Sequence, residues 1–258
     1  MNKEDIFKKL SCLGLELQIF DILESTNKTA KELSFEKEQA LVIAKEQTGG
    51  RGRLGRSFYS PEGGAYFSLL LRPELSPQKT LNITTAAAVA VCRAIEKLSN
   101  KNPQIKWVND VFIKGKKVCG ILCESAFSRE GTKMNYAVLG IGANLFPPEH
   151  GFPEDIKHIA DSIFEKPSEE LYSDFIFETV NEFLKMYNCL EKADFLEEYK
   201  ERSFLIGKEI SFIKNGQNKT ATVLDIEKSF GLVVKYKDGS VETLATGEVT
   251  IGSGNIKT

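Results

Sequence analysis

The segment that most constrains the fold is Gly49-Gly50-Arg51-Gly52-Arg53-Leu54-Gly55-Arg56-Ser57, four glycines and three arginines just after the apolar run 40–44. Gly50, Gly52 and Gly55 match G-x-G-x-x-G. Gly50 to Ser57 matches G-x-x-x-x-G-K-[ST], except that Arg56 stands at the lysine. Both motifs work only where a helix opens at the loop's end, so that backbone N–H groups and the helix dipole face a phosphate. Here Ser57-Phe58-Tyr59-Ser60 is poor helix material, and Pro61, Gly63 and Gly64 follow at once, so the loop runs into another loop and then a strand. Three guanidinium groups fit a flap closing over carboxylate and phosphate better than they fit the tight turn of a nucleotide fold.

Around that loop the chain reads as alternating elements. Residues 15–23 form a strand, and Ser25 or Thr26 then caps a helix running to Leu33. Residues 40–47 and 65–72 read as buried strands, and the small-residue stretch within 77–98 as a helix packed closely on a sheet. Residues 104–113 and 117–127 read as strands joined by a hairpin turn at Lys114-Gly115-Lys116, and 136–145 as another. Within the first of these, alternation puts Lys106 and Asp110 on one face and Trp107 and Asn109 on the other. Residues 168–190 have apolar spacing of helical period, and 192–202 is also helical in pattern.

Three adjacent strands between helices predict an α+β fold with a mixed or antiparallel central sheet flanked by helices, rather than a βαβ array. From Gly207 short β-rich pieces alternate with turns at Asn215-Gly216, Phe230-Gly231 and Asp238-Gly239, the pattern of a small C-terminal SH3-like barrel. The predicted boundary separates a catalytic unit, 1–204, from the small unit, 205–258.

Charge excludes some partners. The 258 residues carry 34 Lys and Arg against 36 Asp and Glu, so no net field draws the protein to nucleic acid or an anionic membrane, and any anion site is local. No apolar run approaches the ~20 residues that span a bilayer. The charged N-terminal stretch has no apolar leader region, and Cys12, Cys92, Cys119, Cys123 and Cys189 are scattered and odd in number, so a cytoplasmic protein is expected. Cys119 and Cys123, about 13 Å apart on a strand, cannot share one metal. His150 and His158 lack partners at zinc spacing, and a Ser-His or Cys-His nucleophile has little to draw on.

Three further segments are too polar for the elements they occupy: Glu24-Ser25-Thr26-Asn27; Lys106-Trp107-Val108-Asn109-Asp110 followed by Lys117-Val118-Cys119-Gly120; and Gly140-Ile141-Gly142-Ala143-Asn144. Each has a bland reading, since a glycine-arginine loop is more often a solvated turn, Ser25-Thr26 a helix cap, Trp107 core and Lys117 a hairpin lysine. Lysine, asparagine and arginine converging without histidine describe a site that manages negative charge rather than one that shuttles protons.

In this order and spacing the four segments resemble the biotin protein ligases, from about Leu23 to the end of the chain. The resemblance implies a ligase that joins biotin to ATP, giving biotinyl-AMP and pyrophosphate, and then acylates a lysine of a biotin carboxyl carrier protein, such as that of acetyl-CoA carboxylase. Longer members carry a DNA-binding helix-turn-helix; the two dozen residues before Ser25 are too few for one, so DNA is not an expected partner. Neither is a membrane, and the expected state is monomer or homodimer.

By the family's pattern, Ser25, Thr26, Asn27 and Gln47 recognise the ureido ring and its surroundings, and Gly120 leaves room for biotin. Gly50, Arg51, Gly52 and Arg53 hold the carboxylate and cover the intermediate. Lys117, with Arg53, is the electrostatic catalyst. Arg56, Phe58, Trp107, Asn109, Asp110 and Asn144 serve the nucleotide. No metal is held by protein alone, and Mg²⁺ arrives with ATP near Asp110. Phe58 replaces a frequent tryptophan, Val108 a frequent proline and Phe146 a frequent asparagine. Alternatives are a lipoate or octanoate ligase or transferase of similar fold, a nucleic-acid binder stacking Phe58 and Tyr59, and a catalytically silent biotin-binding protein, against which Lys117 and Arg53 argue.

Overall fold

The computed structural model describes residues 3–245 and 247–252. In chain order these form α1 (Lys3–Leu10), β1 (Glu16–Leu23), α2 (Thr26–Leu33), β2 (Ala40–Gln47), β3 (Ala65–Leu71) and α3 (Thr80–Leu98). Then come β4 (Gln104–Lys106), β5 (Asp110–Ile113), β6 (Lys116–Phe127), β7 (Met134–Ala143), α4 (Glu169–Tyr187) and α5 (Leu196–Arg202). The strands β8 (Glu209–Lys214), β9 (Gln217–Ile226), β10 (Leu232–Lys235), β11 (Val241–Leu244) and β12 (Val249–Ile251) complete the order.

Seven strands make one mixed sheet in the order β1-β2-β3-β7-β6-β5-β4. Only β1 and β2 run parallel, joined by the α2 crossover; the other neighbours are antiparallel. This is the expected mixed sheet with helices. The last five strands form a separate antiparallel sheet ordered β11-β10-β9-β8-β12, the small SH3-like piece at the C-terminus. Its turns fall at Asn215-Gly216 and Asp238-Gly239, where positive φ suits asparagine and glycine.

Period-two alternation sorts the central strands onto two faces. Leu41, Ile43, Phe67, Leu69, Leu139 and Ile121 point into the main core with α3 and α4. The alanines of α3, fully buried from Ala86 to Ala90, let that helix lie close to the sheet. On the opposite face Ala30 of α2 packs on Val42, Leu70 and Val138, but α2 is only eight residues long, so it covers one end of the sheet and leaves a trough beyond it.

One expectation fails. Residues 104–113 are not a continuous strand: β4 and β5 are a hairpin around Trp107-Val108-Asn109, pairing Lys106 directly with Asp110. Those two share a face because they are opposed across the hairpin, not because they alternate along a strand, and Trp107 and Asn109 leave the pleat altogether. The indole N–H of Trp107 donates to Phe230 O at 2.8 Å, and the Tyr199 hydroxyl donates to Val108 O at 3.1 Å, so the turn is held by contacts that a strand pattern does not encode. The last helix also starts later than its pattern suggests, at Leu196.

Candidate functional site

The trough is floored by glycine. Register places Tyr66, Gly142, Gly120 and Asp110 in one row across β3, β7, β6 and β5, and Ser68, Gly140 and Leu122 in the next. Gly140 and Gly142 are alternate residues of one strand, so both present bare backbone to the same side. A Cβ on Gly140 would overlap the Asn27 amide oxygen, and one on Gly142 would press into the Phe58 ring. Above this floor lies a cavity of about 350 Å³, the volume of a small-molecule site.

One end of the cavity is a polar cluster. Ser25 occupies the N-cap position of α2 without making a side-chain cap bond, which leaves its hydroxyl available to the cavity it lines. Thr26 N–H donates to Gln47 Oε1 at 2.8 Å, with the Thr26 hydroxyl 3.1 Å from the same oxygen, while Gln47 Nε2 donates to Ser60 Oγ at 3.1 Å. Ser68 Oγ lies 2.8 Å from Thr26 Oγ1 and 2.7 Å from Asn27 Oδ1. Ser25, Thr26 and Asn27 are all nearly buried, and buried polar groups arranged this way are prepared for a polar ligand.

The other end is cationic. Lys117 Nζ sits 2.7 Å from Asp110 Oδ1 and 5.8 Å from the centre of the Phe58 ring. The Arg53 guanidinium donates to Asn109 Oδ1 at 3.2 Å, and Asn109 Nδ2 donates in turn to Ile121 O at 2.8 Å. Burial lowers the Lys106 pKa, although Asp110 and Glu248 act in the opposite sense. Arg56 pairs with Glu248 at 2.7 Å, and Glu248, Val249 and Thr250 of the C-terminal sheet line the cavity opposite the arginine loop.

The loop that reaches over the trough is a hairpin-like excursion. Arg51 bridges Ser57, Gly52 N–H donates to Arg56 O at 2.7 Å, and Arg53–Gly55 is one 3-10 turn with Leu54 at φ 54°. No α-helix follows, as the sequence predicts. Arg51 is largely exposed, with Glu24 3.8 Å away.

Of the residues singled out from sequence, Ser25, Thr26, Asn27, Gln47, Arg51, Gly52, Arg53, Arg56, Phe58, Trp107, Asn109, Asp110, Lys117 and Gly120 line this one cavity. Two lie behind it. Gly50 is a packing position, because a Cβ there would strike Ser60 Oγ and Phe58 O. Asn144 ties the end of β7 to Asp161 O at 3.2 Å, and Asp161 N–H donates to Lys117 O at 3.0 Å, so Asn144 frames the backbone of Lys117 rather than the cavity. Sequence reasoning named Lys106, Gly140 and Gly142 without giving them a role. It had no signal for Glu248, Val249 and Thr250, which reach the cavity only through tertiary packing. Among the described residues no group of three His, Cys, Asp or Glu could hold a metal ion, and no helix is long and apolar enough to cross a membrane.

Comparison with known proteins agrees with this geometry. The model of the biotin/lipoate A/B protein ligase family matches residues 19–144, the stretch that builds both ends of the cavity. The bifunctional ligase/repressor BirA of Bacillus subtilis is 41% identical over 166 residues, covering 63% of this chain and 50% of that protein. The biotin–[acetyl-CoA-carboxylase] ligase of Paracoccus denitrificans is 38% identical over 125 residues, covering 47% of this chain and 51% of that protein. The chain thus spans about half the length of these curated relatives. The solved structure of the biotin protein ligase from Aquifex aeolicus in complex with biotin and ATP superposes with a TM-score of 0.71 at 23% identity, over 92% of this chain and 98% of that one, which shows the fold.

Proposed function

We propose that this chain, whose residues 19–144 match the biotin/lipoate A/B protein ligase family, is a biotin protein ligase: it activates biotin with ATP to biotinyl-5′-AMP and transfers the biotinyl group to a lysine of a biotin carboxyl carrier protein, that of acetyl-CoA carboxylase, in the cytoplasm. The observation that carries this reading is the pairing of two unlike ends in one cavity: a buried hydroxyl and amide cluster at Ser25, Thr26, Asn27 and Gln47, and the cations Lys117 and Arg53 across a glycine floor.

In the first step a carboxylate oxygen of biotin attacks the α-phosphorus of ATP, the bond to the bridging oxygen breaks, and pyrophosphate leaves. Two anions must meet, and the obstacle is charge. Lys117 and Arg53 supply preorganised positive charge where the carboxylate and α-phosphate approach each other. The ureido ring lies at the polar end, with the bicycle over Gly120, Gly140 and Gly142. Arg51, Gly52 and Arg53 cover the mixed anhydride and exclude water until the carrier lysine arrives. That amine then attacks the acyl carbon and AMP departs.

Asp110 bears on the magnesium that would accompany ATP. Its Oδ1 is shielded from solvent, makes no other hydrogen bond, and depends on Lys117 for compensation. Once Lys117 turns to the substrate anions, that oxygen needs another cation. A phosphate-bound Mg²⁺ fits the need, with Asp110 as one oxygen ligand and the phosphates supplying most of the others. The ion would neutralise phosphate charge as pyrophosphate forms. We further assign residues 1–204 to the catalytic unit and 205–258 to the small C-terminal unit, whose Glu248–Thr250 segment closes the nucleotide side.

Biotin-dependent exchange of labelled pyrophosphate into ATP, together with transfer of biotin to a carrier domain, tests the proposal. Turnover of lipoate with none of biotin would replace it with the sister reading in the same family.

A further inference from the structure

Glu124 does not line the cavity, yet it organises the polar end of it. It stands two residues beyond Leu122 on β6, on the same face of the sheet, where α2 crosses. Its Oε2 accepts from Asn27 Nδ2 at 2.8 Å, and its Oε1 pairs with Lys31, one turn further along α2. Asn27 Nδ2 also approaches Leu122 O at 3.4 Å. The opposite end of that amide, Oδ1, accepts from Ser68 Oγ at 2.7 Å and packs over the bare backbone of Gly140.

An asparagine side chain can be reversed with little change of shape, so a network decides its polarity. Here every contact votes the same way. A carboxylate and a carbonyl accept only, so they demand the NH₂ group; the hydroxyl of Ser68 then donates to Oδ1. Having spent its proton on Asn27, Ser68 can only accept from Thr26 Oγ1, 2.8 Å away, so the one Thr26 hydroxyl proton goes to Ser68 and Gln47 Oε1 accepts instead from the Thr26 backbone N–H at 2.8 Å. That backbone donor orients Gln47 with its Nε2 toward Ser60, whose hydroxyl donates to Phe58 O at 2.8 Å in the arginine loop. The polarity set at Glu124 therefore passes through Asn27 and Ser68 to the Thr26 hydroxyl, where it meets the part of the cluster fixed by backbone.

We propose that Glu124 is a positioning residue that sets the donor and acceptor polarity of the ureido-binding cluster through Asn27 and Ser68, and so determines affinity for biotin without touching it. The half-buried carboxylate stays ionised in this setting: burial raises its pKa, but hydrogen bonds from Lys31 and Asn27 outweigh that and hold it below the ordinary glutamate range. Without the carboxylate, the Asn27 amide can reverse and present NH₂ to Ser68, which forces the hydroxyls beyond it to reorient. A site built to match hydrogen bonds then meets a mismatched ligand.

This rests on the proposed biotin chemistry, and steady-state pyrophosphate exchange separates the two. The full chain must first show biotin-dependent exchange; its absence refutes the functional reading itself. Given that activity, Glu124→Ala is expected to raise KM for biotin about tenfold, leaving KM for ATP and the melting temperature near the parent's. Glu124→Gln, which keeps an acceptor oxygen for Asn27, is expected to recover most of the loss. Ser68→Ala, which removes the donor on the other side of the same amide, should reproduce the biotin-specific effect. The inference is overturned if Glu124→Ala leaves biotin KM within twofold of the parent, or raises KM for biotin and ATP equally as the melting temperature falls. It is also overturned if Gln restores nothing.

Discussion

Lys117 and Asp110 face each other across the β5–β6 pair with Nζ and Oδ1 2.7 Å apart, an ion pair at the cationic end of the cavity. Asp110 is directly registered with Gly120, so the lysine lies back over the glycine floor rather than out into solvent. Held there, its ammonium is preorganised toward the place where anions would meet, and the aspartate holds it until a stronger anion competes.

Lys117→Ala is expected to lower kcat for biotin-dependent pyrophosphate exchange by about 100- to 1000-fold, the usual effect of removing one electrostatic donor from a transition state. Equilibrium binding of biotin should change far less. A kcat within a factor of three of the parent would remove Lys117 from its assigned role.

Gly142→Ala places a methyl group against Phe58 on the trough floor. The expected outcome is a rise of about tenfold or more in KM for biotin, since one methyl in a fitted pocket discriminates on that scale. Circular dichroism should remain unchanged, because the methyl points into the cavity and not into the α3–α4 core. An unaltered KM would show that biotin does not lie along this row.

Trp107 is the only tryptophan, and it is buried with its N–H on Phe230 O, so its fluorescence reports the contact between the two sheets. Tyr199→Phe leaves Val108 O without its buried donor and should cost about 1–2 kcal/mol in urea unfolding followed by Trp107 emission. A loss under about 0.5 kcal/mol, typical of a surface change, would mean that water replaces the hydroxyl.

Glu198 joins α5 to α3 through Arg93, and it also pairs with Arg202. Burial raises its pKa, but hydrogen bonds from the two arginines outweigh this and hold the folded-state carboxyl below the ordinary glutamate range. The stability it contributes is therefore present above the unfolded pKa and lost as pH falls through the depressed folded value. Melting temperature should fall on acidification below about pH 4.5, and Glu198→Gln should lower it at neutral pH while flattening that part of the acid limb. A variant with the parent's acid profile would locate the pH dependence in other carboxylates.

Much of the sheet was legible because its signals are local. Short apolar-rich runs marked β1, β2, β3, β6 and β7, and Lys114-Gly115 marked the hairpin turn between β5 and β6. The glycine spacing of Gly140 and Gly142 is likewise a one-strand property, and it already says that two bare positions share a face. The 104–113 stretch misled because its polar residues suited alternation equally well. What breaks it there is the pull of Phe230 and Tyr199, and no window of sequence contains both sides of those contacts.

By itself the sequence determined the chemical vocabulary of the site: arginines on a glycine loop, a lysine beside an Asn-Asp pair, hydroxyls at a helix start, and no histidine among them. Tertiary structure alone decided which of these meet in the cavity and which stand behind it. Gly50 and Asn144 became supports because packing and backbone closure claimed them. Glu248 entered from the C-terminal sheet, and Glu124, 97 residues from Asn27, became the keeper of its orientation. A motif is set by neighbours along the chain, whereas hydrogen-bond polarity is set by neighbours in space, and those exist only after the sheet has brought distant strands into register.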